Sequence, residues 1–315
     1  MMQENKRSGL LSIIAPAMNE EGNLPALVAA IAAALEPKQI PYELILVDDG
    51  STDRTWAVIC EQAQADARVR GLKLSRNFGK EGAMFAGLDA AKGECAVITD
   101  ADLQFPPETI AEMYAVWQTG AADVVEGKKR TRGKESLVYK LFTKVFYGML
   151  KGMSGIDLAN ASDFKLMDRK VLDTLADMPE RQTFFRGMSS WVGFTTEHVL
   201  FDVQDRNSGT SKFSPKKLIK FALSSISSFT DAPMQFATGM GVLSCFLAVA
   251  LAIFTIFFHF PRESVEMLCA VISVMVFFFG LVLIALGIIG YYLARIYGEL
   301  KQRPRYIVSN RTDDR

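Results

Sequence analysis

The chain holds only four cysteines, Cys60, Cys95, Cys245 and Cys269, too scattered for a zinc site or a disulfide framework, which fits a reducing compartment. No Gly-x-Gly-x-x-Gly fingerprint follows the first apolar strand pattern and no Walker lysine loop occurs, so dinucleotide-binding and P-loop readings lack their phosphate cradles. Net charge is absent too: 35 basic residues balance 35 acidic ones, and nothing global suggests a nucleic-acid partner. From Met1 to Arg7 the chain is polar and then enters a short apolar strand, without the long apolar region or small-residue cleavage site of a signal peptide.

Charge is missing most conspicuously near the C-terminal end. Phe236 to Phe260 and Met267 to Ala294 carry no formal charge, and each run is about a membrane thickness or more as a helix. The polar stretch between them, from Pro261 to Glu266, makes the pair a helical hairpin. Lys216, Lys217 and Lys220 precede it and Arg295, Lys301, Arg303 and Arg305 follow it, so the positive-inside rule puts both termini in the cytoplasm. The expected organisation is a catalytic domain over 1–213, a juxtamembrane helix over 214–230, two spans within 231–294 (236–260 and 267–294) and a cytoplasmic tail over 295–315. This describes an integral, multi-pass protein of the inner (cytoplasmic) membrane.

What is present before residue 130 is an alternation of β-rich runs with amphipathic helical patterns, the signature of βαβ units and a mainly parallel sheet. The strands read Leu10 to Ala15, Glu43 to Val47, Val69 to Leu74, Cys95 to Thr99 and Asp123 to Val125. The helices read Leu24 to Leu35, Thr52 to Ala65, Gly82 to Ala91 and Pro107 to Trp117. Ligands of such sheets bind at the carboxyl ends of the strands. Three acidic loops fall there: Asn19, Glu20 and Glu21; Asp48 and Asp49; Asp100 and Asp102. Side chains two apart on an extended segment share a face, so Asp100, Asp102 and Gln104 offer hard oxygen ligands to a divalent cation holding a diphosphate. The plainer alternative is a set of turn formers and helix caps, such as Ser51 or Thr52 at the start of the second helix.

Two further stretches suit the membrane surface. In residues 136–151 the lysines at 140, 144 and 151 share a narrow helical face against Leu137, Leu141, Phe142, Val145 and Phe146, and 214–230 repeats the pattern. Packing of both on the sheet is the alternative.

The segments Ala15–Pro16 through Asn19–Glu20–Glu21, Val47–Asp48–Asp49–Gly50–Ser51, Ser75–Arg76–Asn77–Phe78–Gly79 and Asp100–Ala101–Asp102–Leu103–Gln104 resemble glycosyltransferase family 2, with its GT-A (Rossmann-like) α/β fold. With Ser162–Asp163–Phe164, Trp191–Val192–Gly193–Phe194, Gly209 through Lys212 and the terminal hairpin, the chain is similar to polyprenyl-phosphate glycosyltransferases of the bactoprenol glucosyltransferase type, cousins of dolichyl-phosphate mannose synthases. The resemblance implies a nucleotide-sugar donor, UDP-glucose first, a polyprenyl (undecaprenyl) phosphate acceptor, inversion at the anomeric carbon, and a tetramer. It also implies roles. Pro16, Asn19, Glu20, Asp48 and Asp49 line the nucleoside pocket, Asp100 orients the donor, Asp102 and Gln104 hold Mg2+ or Mn2+, and Asp163 stands beside the anomeric carbon. Lys80, Glu81 and Thr210 depart from the family pattern.

A phosphate acceptor, already ionised with a second pKa of about 6, needs cations more than it needs a base. Lys128, Arg130, Arg132, Arg186 and Lys212 are the candidates. A processive polysaccharide synthase is a competing reading, although the Glu180 to Arg186 segment lacks the tryptophan of the synthase motif. A nucleotidyltransferase lacks its glycine-rich loop, and a non-catalytic nucleotide-binding scaffold is the reading from another class.

Overall fold

The computed structural model describes residues 7–130, 162–180, 183–202, 232–257 and 264–313. The helices expected over 136–151 and 214–230, together with Arg132 and Lys212, lie outside the described residues. The chain divides into two compact units, residues 1–217 with 304–315, and residues 218–303.

The first unit is built on eight strands: β1 (Leu11–Ala17), β2 (Tyr42–Asp48), β3 (Val69–Leu74), β4 (Cys95–Ile98), β5 (Val124–Lys129), β6 (Lys165–Asp168), β7 (Thr196–Phe201) and β8 (Val308–Arg311). They form one sheet in the order β7-β5-β6-β4-β1-β2-β3-β8. The central pairs β4-β1-β2-β3 are parallel, as the alternating pattern implies. Two strands run the other way. β6 lies antiparallel between β4 and β5, and β8 lies antiparallel to β3 at the edge.

The helices of this unit are α1 (Leu24–Leu35), α2 (Thr55–Ala65), α3 (Lys80–Ala90), α4 (Pro107–Gln118), α5 (Arg169–Asp177) and α6 (Phe185–Trp191). β1 shows why the sheet needs cover on both faces. Leu11, Ile13 and Ala15 join Leu27, Ile31, Met113 and Trp117 in one core, which places α1 and α4 on that face. Ile14 points the other way, where a Cβ on Gly87 of α3 would come within 2.2 Å of its Cγ2. Strands buried on both faces read as continuous apolar runs, which is why β1, β2 and β4 are plain in the sequence.

β8 closes the β3 edge with side chains as well as backbone. Arg70 Nε donates to Asp313 at 2.8 Å, the Gly71 N–H to Thr312 Oγ1 at 2.8 Å, and the Tyr306 hydroxyl to Asp89 at 2.6 Å. Arg305 donates to the carbonyls of Met178 and Glu180, and its guanidinium lies 4.6 Å from the Phe85 ring centre. A paired and covered edge is protected from adventitious strand addition.

The second unit contains α7 (Ala232–Phe257) and α8 (Ser264–Leu300), which pack on one another. Within α8, Phe277–Leu300 is long and apolar enough to cross a membrane, and its side chains are not buried within the protein. Phe277, Phe279, Leu283, Leu286 and Leu293 are each more than half exposed, an arrangement that water penalises and lipid does not.

Replacing Arg305 with alanine removes the two carbonyl contacts and the ring contact that fasten the segment before β8. Urea unfolding of the full chain is expected to show a loss of about 1–3 kcal/mol; an unchanged midpoint would mean that the edge strand is held by backbone pairing alone.

Candidate active site

β1, β2 and β4 are parallel neighbours, so the loops that follow them emerge on one rim. The first two loops are stitched together. The Asn19 N–H donates to Ser51 Oγ at 2.9 Å, the Thr52 N–H to Asn19 Oδ1 at 2.9 Å, and the Glu20 N–H to Thr55 Oγ1 at 2.9 Å. Asn19 adopts φ 57°, a left-handed conformation that asparagine tolerates. Glu20 accepts from Asn23 Nδ2 at 2.7 Å, and Pro16 sits half-buried opposite Val47 in the β1–β2 ladder.

Asp48 and Asp49 are both buried. Asp48 Oδ1 accepts the Ser51 N–H at 2.9 Å. Among the described residues, Asp48 Oδ2 is the one buried side-chain oxygen or nitrogen without a hydrogen-bond partner. Asp49 Oδ1 accepts the Phe78 N–H at 2.7 Å, which joins this loop to the one after β3. Burial pushes the Asp49 carboxyl up, partly offset by the N–H groups of Phe78 and Gly79. Gly50 makes the approach feasible: its φ is 69°, and a Cβ there would stand 2.5 Å from the Asn77 nitrogen.

The loop after β4 turns at Leu103, φ 61°, and the Gln104 N–H donates to Asp102 Oδ1 at 3.1 Å. The alternative sequence reading of Asp102 as a turn former therefore holds for one oxygen of its carboxylate. Among the described residues no three His, Cys, Asp or Glu side chains are grouped to hold a metal by themselves.

Asp163 reaches this rim because β6 is antiparallel to β4. Its amino end, with Leu166 opposite Val97 and Lys165 opposite Glu126, lies at the carboxyl ends of its neighbours. There the Asp163 carboxylate, 11% exposed, meets two cations. Arg186, from α6, grips both oxygens, Nε to Oδ1 at 2.7 Å and a terminal nitrogen to Oδ2 at 3.0 Å, and Lys80 Nζ donates to Oδ2 at 3.0 Å. Lys80 also lies 2.6 Å from Asp100 Oδ1. Burial works against the charge on Asp163, but Lys80 and Arg186 outweigh it and hold the carboxyl well below the usual range. Burial likewise opposes the Lys80 charge, and Asp100 and Asp163 reverse the balance, so its pKa is raised. Losing Asp163 would leave Lys80 and Arg186 without the carboxylate between them, whereas losing either cation leaves Asp163 the other.

A second layer fixes this cluster. Glu126 accepts the Ser162 N–H at 2.7 Å and stands 3.5 Å from Lys165 Nζ, which donates to Ser189 Oγ at 2.9 Å. Lys165, 3% exposed, thus ties the chain beside Asp163 to the helix that carries Arg186; burial lowers its pKa against the pull of Glu126. Glu81 accepts the Phe185 N–H at 2.8 Å, fastening the other end of α6 to α3.

The structure therefore brings Asp100, Asp163 and Arg186 into one contact network. Of the other expected cations, Lys128 lies on β5, and Arg130 at its end pairs with Asp202 at 3.1 Å where both are exposed. Lys80 and Glu81, marked in the sequence as departures from the family pattern, are the residues sequence reasoning missed. The signal was their position directly after Asn77-Phe78-Gly79, where a helix start aims its first residues at the rim.

Burial and the nearby Asp163 charge push the Glu81 carboxyl up to about 7 from an ordinary 4.5. A carboxyl raised in the folded state favours folding while protonated, a contribution complete below about pH 4.5 and lost as pH climbs through about 7. Glu81→Gln keeps an acceptor for Phe185 and removes the charge. Its stability relative to the parent, from urea unfolding, is expected to rise between about pH 5 and pH 8; a flat difference would show that Glu81 is already ionised at the lower pH.

The model of Glycosyl transferase family 2 matches residues 12–176. A bactoprenol glucosyl transferase of Shigella phage SfV is 35% identical over 305 residues, covering 95% of this chain and 98% of its own. An uncharacterized glycosyltransferase of Synechocystis sp. is 40% identical over 302 residues, 95% of each chain. Among solved structures, glucosyl-3-phosphoglycerate synthase from Mycobacterium tuberculosis, in complex with Mg2+ and UDP, shares the fold with a TM-score of 0.51 at 20% identity, over 70% of this chain and 80% of that one. Motifs, α/β sheet and full-length relatives agree: the chain belongs to glycosyl transferase family 2 and has its GT-A fold.

Proposed function

We propose that this glycosyltransferase moves a hexose from a nucleotide sugar, UDP-glucose first among donors, to the phosphate of polyprenyl (undecaprenyl) phosphate, with inversion at the anomeric carbon. The observation that carries the reading is Asp163, held between Lys80 and Arg186 beside Asp100 on the carboxyl rim of the sheet. A bactoprenol glucosyl transferase matched over nearly its whole length supports the acceptor, and the exposed apolar stretch Phe277–Leu300 supports an enzyme held in a membrane. Cytoplasmic termini, a second span and a tetramer belong to the same proposal.

The donor set fits Mg2+ or Mn2+. Asp100 and Asp102 supply hard oxygens, the rim already attracts a cation in the form of the Lys80 ammonium, and a diphosphate can complete a coordination sphere that the protein alone does not fill. Asp102 and Gln104 are the residues proposed to hold the cation. When bound, it neutralises the charge that grows on the leaving diphosphate as the sugar becomes oxocarbenium-like.

The chain's own residues do the rest. The loops tied through Asn19, Asp48 and Asp49 shape the nucleoside pocket, and the unsatisfied Asp48 Oδ2 marks a residue whose hydrogen bonding a ligand completes. Asp100 orients the donor. Asp163, kept ionised by two cations, is proposed to position the reacting groups rather than to take a proton, since a phosphate acceptor arrives ionised. Arg186 brings positive charge to that place, which an incoming phosphate needs on an otherwise acidic rim.

Purified protein in detergent, given a panel of nucleotide sugars and undecaprenyl phosphate, is expected to form a single glycolipid class, and EDTA to abolish it. Failure with every donor would favour the non-catalytic scaffold. Asp102→Ala is expected to remove transfer and metal-dependent nucleotide binding together; retention of either would place the metal elsewhere. Asp163→Asn is expected to lower turnover about 100-fold or more, while nucleotide affinity stays within about twofold.

A further inference from the structure

Lys80 is on the rim for a reason that the transfer reaction alone does not supply. Its ammonium is 2.6 Å from Asp100 Oδ1 and 3.0 Å from Asp163 Oδ2, while Arg186 already satisfies Asp163 through both oxygens. Asp163 thus has two cations, and the contact in which Lys80 is most needed is Asp100, the carboxylate two residues before Asp102. The Lys80 side chain is 43% exposed and Asp100 28% exposed, so this end of the network is open to solvent, whereas Asp163 is 11% exposed. A long, flexible ammonium on a partly exposed carboxylate is an exchangeable counter-ion.

We infer that Lys80 is a built-in competitor of the divalent cation proposed at Asp102 and Gln104: its ammonium neutralises Asp100, two residues before Asp102, and a metal entering beside that carboxylate displaces the ammonium from it. The inference rests on the proposed metal–diphosphate site and deepens it. A divalent cation beside Asp100 and an ammonium in contact with it repel one another strongly. Among the described residues the charged groups facing Lys80 are Asp100, Asp163, Glu81 and Arg186, so displacement leaves it in a neighbourhood that still carries carboxylates. Metal binding therefore works against an occupied site, and a nucleoside diphosphate, which brings negative charge, tips the exchange. By linkage the metal and the nucleotide then strengthen each other's binding.

Mn2+ binding to the full chain in detergent, followed by electron paramagnetic resonance with and without UDP, tests this directly. Lys80→Met is expected to bind Mn2+ about tenfold more tightly without UDP and to show a smaller gain on adding UDP. Lys80→Arg, which keeps the charge, is expected to behave like the parent. Asp102→Ala serves as the reference: if it binds Mn2+ as well as the parent does, the metal assignment itself falls, and this inference with it. If Asp102→Ala binds weakly and Lys80→Met is unchanged, the metal site stands and the competition is overturned. A readout on the unaltered protein guards against a variant that fails to fold. Acetylation of Lys80, measured by mass spectrometry, is expected to speed up several-fold when Mn2+ is added, because an ammonium freed from Asp100 and beside a like charge gives up its proton more readily; an unchanged rate would also overturn the inference.

Discussion

The arrangement depends on one buried carboxylate shared by two cations. Asp163 just before β6, Lys80 at the start of α3 and Arg186 on α6 come from distant parts of the chain, and their charges hold those parts at one place. Each would be expensive to leave in a protein interior alone. Together they place two cations beside the carboxylates proposed for a metal, which is what the proposed transfer to an anionic acceptor would require.

The surrounding structure serves that cluster. Antiparallel β6 delivers Asp163 to the rim where the parallel strands end. Lys165 and Glu126 fasten its flank to α6, and Glu81 fastens α6 to α3. Asp49 and Gly50 join the loops after β2 and β3 just before Lys80 emerges. Buried polar networks of this kind are worth having only when their members are satisfied, and most of these are. Asp48 Oδ2, the exception among the described residues, lies on the side proposed for the nucleoside.

Much of this was legible in the sequence. β1, β2 and β4 announce themselves as apolar runs because helices cover both faces of the sheet, and the acidic loops follow from strand-end geometry. β6 and β8 do not. β6 is four residues long and carries a buried lysine, and β8 reads Val308-Ser309-Asn310-Arg311, a polar edge whose β3 partner is far away in sequence. The tail expected after residue 295 therefore includes a strand of the sheet. Lys80 and Glu81 stood out only as departures from the family pattern, because charged residues at a helix start ordinarily face water; the tertiary placement of Asp163 and α6 brings them into the site. Asp102 was legible as a rim carboxylate, and the structure adds its bond to the Gln104 N–H.

Coupling between Lys80 and Asp163 is the point on which the account stands or falls. A double-mutant cycle on transfer rate, using Lys80→Met, Asp163→Asn and both together, measures it. Residues acting as one unit give strongly non-additive losses, the double variant being little worse than the poorer single one. Losses that multiply would contradict the account and reduce the pair to two charges that act independently.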